Sequence, residues 1–289
     1  MRATRPDGLG SVAPMVDPVA PPRRLRAPFD RRAAAPRQGD RSWGDGIYRR
    51  RIIVRSQGAT TTGELEDDFH HFAFTVVCAD DVVVEVQTGA VRHPWDLCAE
   101  ADEPIRAVIG TRVDDVPTVL SHLDARANCT HVFDLAGLVV AHAGRPDTAR
   151  QFDVEVTDPD ATGLRAARLW VDGDLRLDWQ LRQREVIGPD DWTGIPLWKG
   201  FLQWALDTLD GPTAEAAMVL RRGVDISRGR MEDLDRYKAN AELAHVLDGI
   251  CHAYTPTNRE RGVRVNGSAR DFADAPHLLL ADFESRNGP

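Results

Sequence analysis

Three short stretches gather the side chains that can move protons, bind a metal or attack carbon. The first, Asp67-Asp68-Phe69-His70-His71-Phe72, puts two carboxylates and two imidazoles within five residues. It lies at the entry to an alternating apolar run, so His70 and His71 are expected on opposite faces of a strand. One of them, at most, can serve a shared site. The second stretch is Arg92-His93-Pro94-Trp95-Asp96-Leu97-Cys98. Pro94 suits the first turn of a helix, which places Cys98 among free backbone N–H groups at the positive end of the helix dipole. A thiol so placed has a lowered pKa and can act as nucleophile or metal ligand. Arg92, just upstream, can hold a carboxylate or phosphate.

The third stretch is Asn128-Cys129-Thr130-His131-Val132-Phe133-Asp134. Asn128 is a good N-cap, Cys129 begins the helix, and Asp134 follows His131 by three residues, close enough to orient its ring. Two helices that each begin near a cysteine can bring both N-termini to one end of the fold. Candidate catalytic residues are therefore His70, His71, Arg92, Cys98, Cys129, His131 and Asp134. An alternative donor set for a metal or iron–sulfur group is Cys98, Cys129 and His131. Blander readings stand beside each. Cys129 shares a helical stripe with Phe133, Ala136 and Val140 and can be core, Cys98 can pack inward, and Arg92 can pair with Asp96.

The elements that position these groups read as two β-then-α halves. Ile47–Arg55, Gly58–Glu66, His71–Cys78 and Val82–Thr88 are predicted strands, followed by helices at Trp95–Ile109, Asp114–Leu123 and Cys129–Ala143. The second half opens with strands at Gln151–Thr157, Ala166–Val171 and Leu175–Leu181. The last two are joined by Asp172-Gly173, a strong hairpin signal. Helices at Leu197–Leu209, Ala214–Ile226 and about Arg230–Tyr254 follow, then an irregular tail whose Arg259, Arg261, Arg264 and Arg270 suit either an anion clamp or a solvated surface. The fold class expected is α+β: a small antiparallel sheet followed by helices, with a second hairpin-and-helix half packed on it. Residues 46–145 form the motif-bearing half and 146–289 the other, or the two make one continuous domain. The two are similar in plan, though no internal repeat shows in their motifs.

The chain has 289 residues with a net charge of −9, and its charge is uneven. Residues 1–55 hold thirteen Arg against five Asp, an excess of +8, which leaves −17 on the remainder. An acidic body makes nucleic acid an unlikely partner, and residues 1–45, rich in Pro and Arg, read as a disordered arm. Four scattered cysteines without a C-x-x-C pair, no secretory signal and no apolar run near twenty residues point to a soluble cytoplasmic protein with free thiols. Walker, G-x-G-x-x-G, H-E-x-x-H and G-x-S-x-G motifs are missing, which counts against nucleotide enzymes, zincins and α/β-hydrolases. The cofactor is left unknown. The function expected is a small-molecule lyase or hydrolase acting on a substrate with an anionic group. A metal or sulfur-transfer protein and a non-catalytic interaction domain are the alternatives.

The strings DDFHHF, RHPWDLC and NCTHVFDLA, in this order, resemble the bacterial domain-of-unknown-function 2889 family, as do LWVDGDLRLDW, VLRRGVDISRGRMEDLD and NGSARDF. The resemblance spans about residues 46–280. It implies no particular activity, only that Asp67, His70, His71, Arg92, Pro94, Trp95, Cys98, Cys129, His131 and Asp134 stand at family positions. A looser likeness in layout, a sheet followed by two helices that start near cysteines, is to iron–sulfur scaffold and sulfur-acceptor proteins. Those scaffolds also use a cysteine between sheet strands, where this chain has Cys78 at a strand end.

Overall fold

A computed structural model describes residues 46–114, 120–145 and 148–287. The predicted basic arm, 1–45, lies outside them, as does most of the predicted helix Asp114–Leu123, whose described end, Leu120–Leu123, is turn and bend.

Alternation of apolar with polar residues builds eight strands. β1 is Ile47–Gln57, β2 Thr60–Asp67, β3 His71–Ala79, β4 Val82–Arg92, β5 Ala149–Thr157, β6 Leu164–Val171, β7 Asp174–Arg182 and β8 Glu185–Gly188. Asp172-Gly173 forms the predicted hairpin turn, both residues at positive φ, and Asp80-Asp81 makes the same kind of turn between β3 and β4. The strands are not a small sheet plus an added hairpin. They make one antiparallel sheet in the order β4-β3-β2-β1-β5-β6-β7-β8. The β1–β5 ladder, from Ile47↔Thr157 to Arg55↔Ala149, carries it straight through the expected boundary near residue 145.

Helix α1, Thr130–Ala143, crosses from β4 to β5 and rests on β1–β3, while α3, Gly211–Ile226, rests on β5–β7. Both lie on one face. Gly63 on β2 lets α1 approach, since a Cβ there would stand 2.4 Å from Val139 Cγ2. Gly223 on α3 does the same over β5, 2.5 Å from Val154 Cγ1. Gly63 pairs with Val54 and Val154 with Arg50, and these two β1 residues are four apart, hence on the same side. A short α2, Phe201–Thr208, precedes α3, and two single-turn helices, α4 (Ala244–Leu247) and α5 (Phe283–Asn287), come later.

Three helical expectations fail for local reasons. Trp95–Ile109 is two 3₁₀ segments, Asp96–Asp102 and Pro104–Val108, because Pro104 interrupts the ladder. The long helix near Arg230–Tyr254 is a series of turns. There Asp233 accepts from Asp235 N–H, and Glu242 from the N–H groups of Lys238 and Ala239, bonds that compete with a continuing helix. Asn128 does not cap α1: Cys129 takes the N-cap position, and the Asn128 amide donates to Asp124 O instead. The tail is irregular, as expected, but much of it is buried rather than solvated. Its residues strap the sheet's other face, with Arg49 donating to Ala273 O, Leu280 N–H to Glu66, and Asn287 to Glu64.

Candidate functional site

Asp67, the last residue of β2, organises the β2–β3 connection. Its Oδ1 accepts the N–H groups of Phe69 and His70, each at 2.8 Å, closing the chain into a side-chain-bonded turn. The turn folds the His70 ring back so that Nδ1 reaches the same oxygen at 3.0 Å. Oδ2 accepts from Tyr48 Oη at 2.8 Å and Arg50 Nη2 at 2.6 Å, two side chains that β1 alternation presents to the helical face. The first turn of α1 then lays His131 against His70. The two rings stack with centroids 3.5 Å apart and planes 24° off parallel, walled by Phe72. Asp67 is fully buried; His70 keeps 8% of its surface and His131 7%.

Burial works to raise the Asp67 pKa, but the neighbouring His70 and Arg50 reverse it and hold the carboxyl well below its ordinary value. Burial pushes His70 down, more than Asp67 can restore. His131 falls well below the usual range, through burial and then through His70 and Arg50 beside it. Both imidazoles are thus neutral at pH 7. Their partners assign the protons: Nδ1 of His70 donates to ionised Asp67, leaving Nε2 with a lone pair. Cys129 Sγ stands 4.0 Å from His131 Nδ1. With the thiol as donor to Nδ1 the His131 proton sits on Nε2, and with the sulfur as acceptor it sits on Nδ1. In either case Nε2 is buried with no hydrogen-bond partner.

The structure treats the other candidates differently. His71 points to the opposite face, as alternation predicts, and binds Glu64 at 3.0 Å under the C-terminal strap. Arg92 is not free to hold a substrate. Its guanidinium donates to the carbonyls of Asp67, Asp68, His70 and Ser268 and to Glu66, which pins the β2–β3 connection to the tail. Asp134 does not orient His131; it receives both Nε and Nη2 of Arg222 and ties α1 to α3. Nor are the thiols activated. Burial pushes Cys98 well above its ordinary pKa and Cys129 up to about 12, so the helix-start argument loses to desolvation.

Among the described residues, one group of three potential ligands brings its donor atoms within 4.8 Å of one another: Asp67, His70 and His131. The Cys98, Cys129 and His131 set is not gathered in that way. Even the closer group fits a cation poorly. Asp67 already accepts from six N–H or O–H groups, two of them on the Arg50 guanidinium. The in-plane lone pairs of two nearly parallel imidazoles do not converge on one point.

Sequence reasoning overlooked Tyr48 and Arg50 and named Asp67 only as a neighbour. A signal existed: in IYRRRIIVR the phase of Ile52 and Val54 also contains Arg50, a charge on the apolar face. A cavity of about 310 Å³ lies elsewhere, on the sheet's other face among Arg49, Arg51, Asp153, Trp170 and Leu279. Neither a protein-family model nor a curated protein matches the chain.

Proposed function

We propose that the chain is a small-molecule enzyme of the lyase or hydrolase type. In this reading His70 is the base and His131 the hydrogen-bond donor to a carbonyl oxygen of the substrate. The observation that carries it is the pair of stacked buried imidazoles, His70 with Nδ1 on Asp67 and His131 with a buried Nε2 that has no hydrogen-bond partner. In this reading Nε2 of His70 holds a lone pair and Nε2 of His131 the proton. An unpaired buried polar atom costs about 1–3 kcal/mol, so its retention calls for a use. Asp67 holds the His70 ring and stabilises the imidazolium formed when a proton is taken from carbon or from water. A neutral imidazole polarises the carbonyl without protonating it, and the near-dry surroundings strengthen that interaction. Arg50 and Arg222 add positive potential at His131 while Asp67 opposes it; the two guanidinium groups are what suits a substrate with an anionic group.

The test uses a panel of 2-oxo acids, 3-oxo acids and carboxylate-bearing esters. Proton NMR in D2O follows deuterium exchange next to the carbonyl, C–C cleavage and ester hydrolysis. The wild type should turn over at least one member. His70→Asn and His131→Phe should each lower that rate by about 100-fold or more. A wild type inert to the whole panel, or a His70→Asn variant as active as the wild type, sinks the reading in favour of an interaction domain with a polar core.

A further inference from the structure

A second cluster sits in the other half of the molecule. Trp198, half-buried in the connection from β8 to α2, has three guanidinium groups gathered about its indole. The Cζ atoms of Arg184, Arg221 and Arg228 lie 4.5, 5.3 and 5.8 Å from the ring centroid. They come from separate elements: the β7–β8 turn, helix α3 and the 3₁₀ turn that follows it. Arg221 is steadied by a 2.7 Å bond from Nε to Leu197 O, while Arg184 and Arg228 are exposed. Arg165 stands behind them with Nη2 on Ser227 Oγ at 2.6 Å.

None of these four arginines has a carboxylate ion-pair partner among the described residues. Their neighbours do: Arg222 pairs with Asp134 and Asp225, and Arg230 with Asp68 and Asp158. In a chain with a net charge of −9 this corner gathers four arginines with carboxylates nearby, Asp158 and Asp225 among them, but none in ion-pair contact with these four among the described residues. The arginines feel one another. Burial and then Arg222 lower the Arg221 pKa against Asp225 and Asp134, and burial brings Arg165 to about 10, with Asp158 opposing and Arg228 adding to the fall. Like charges held about one aromatic ring with no carboxylate in ion-pair contact are what an anion would neutralise. Planar guanidinium forks match the oxygens of a phosphate group, and the indole gives the cations a rigid, apolar seat.

We propose that the Trp198 corner binds a small, soluble, phosphate-bearing anion. None of its residues belongs to the Asp67–His70–His131 site, so the proposal stands or falls separately from the acid–base reading.

The experiment is calorimetric titration of the full chain with inorganic pyrophosphate at low salt, repeated on Arg184→Ala/Arg228→Ala. These two side chains are exposed and make no ion pair among the described residues, so the fold should survive; a circular dichroism melt checks it. Trp198→Phe serves as the optical control in a parallel fluorescence titration. The wild type should bind one pyrophosphate. The double variant should bind at least about tenfold more weakly, with an unchanged melt. Trp198→Phe should lose most of the fluorescence change while still releasing heat. Equal affinity in the double variant overturns the site. So does a wild type that ignores pyrophosphate, including one that sediments only with phosphatidic acid vesicles or binds only an oligonucleotide.

Discussion

The two halves of the sheet are built to one plan and filled with different chemistry. Each is a four-stranded antiparallel meander with a helix laid on the same face, and each helix makes its close approach through one glycine. Beneath α3 that face is mostly apolar: Val154, Val156, Ala167, Leu169, Leu177, Trp179 and Leu181 are all buried, with Arg165 at the start of β6 the exception. Beneath α1 the corresponding surface holds Ile52, Val54, Leu65 and Phe72, but also Arg50, Asp67, His70 and His131. Architecture did not require that cluster, since the other half folds with only Arg165 on the sheet and Glu215 on α3 as buried charges, neither of them gathered with a pair of imidazoles about a carboxylate. Buried ionic groups stabilise little against apolar replacements, and places where a fold departs from its own local rule are where function is to be sought. The polar character of the second half has moved outward, to the arginines about Trp198.

The comparison is most open to attack at Asp67. Asp67→Leu leaves Arg50 buried without its counter-charge and removes the acceptor for the β2–β3 turn, and should cost about 3–5 kcal/mol in urea unfolding. Adding Arg50→Met should recover much of that loss, as an apolar pair would in the second half, while leaving any catalytic activity lost. A single-variant cost below about 1 kcal/mol would mean that the two halves are energetically alike despite their chemistry.

The glycines probe the shared part of the plan. Gly63→Ala and Gly223→Ala each drive a methyl into the opposing valine and should each be destabilising, on the order of 1–3 kcal/mol. Gly223 lies inside a helix, where alanine is preferred by about 1 kcal/mol, so its substitution should be the milder by about that amount. Chemical denaturation of the two variants side by side decides it. A reversed order would show that α3 is seated more tightly than α1.

The strands were largely legible because half-buried antiparallel strands alternate, and Asp172-Gly173 announced its own turn. β8 escaped because four residues, Glu185–Gly188, are too few to show a period. That the two meanders fuse across β1 and β5 was invisible, since the pairing joins residues about a hundred apart. In the site, His70 and His131 could be named from residue type and His71 sent to the other face by parity. What parity could not supply was the partner of each group. Asp134 stands one helical turn from His131 yet binds Arg222 on α3. Arg92 looked like an anion clamp but spends its donors on backbone carbonyls. For the thiols, position at a helix start argued for activation, and burial, unreadable locally, decided the other way.

His131 gives the smallest stability effect and the clearest separation of roles. Phenylalanine keeps the stack on His70 and removes an unpartnered polar atom, so at pH 8 His131→Phe should change stability by no more than about 1 kcal/mol in either direction. The pH dependence should differ. The pKa of His131 is lowered in the folded state, so the unfolded chain takes up a proton there first as pH falls. The stability owed to the neutral ring is complete above the unfolded value of about 6.5 and is lost below it, by up to about 1.4 kcal/mol per pH unit. Asp68, raised to about 7 by burial despite Arg230, works in the opposite sense. The folded state holds its proton more tightly, so falling pH between about 7 and 3.8 favours folding. Subtracting the variant from the wild type cancels Asp68 and leaves His131 with its coupling to His70 and Asp67. The difference should therefore be flat above pH 7 and turn against the wild type toward pH 5.5 in urea titrations. A difference that stays flat throughout would mean that His131 keeps its proton with ease in the folded protein, and the first half would then lack the neutral imidazole pair that sets it apart from the second.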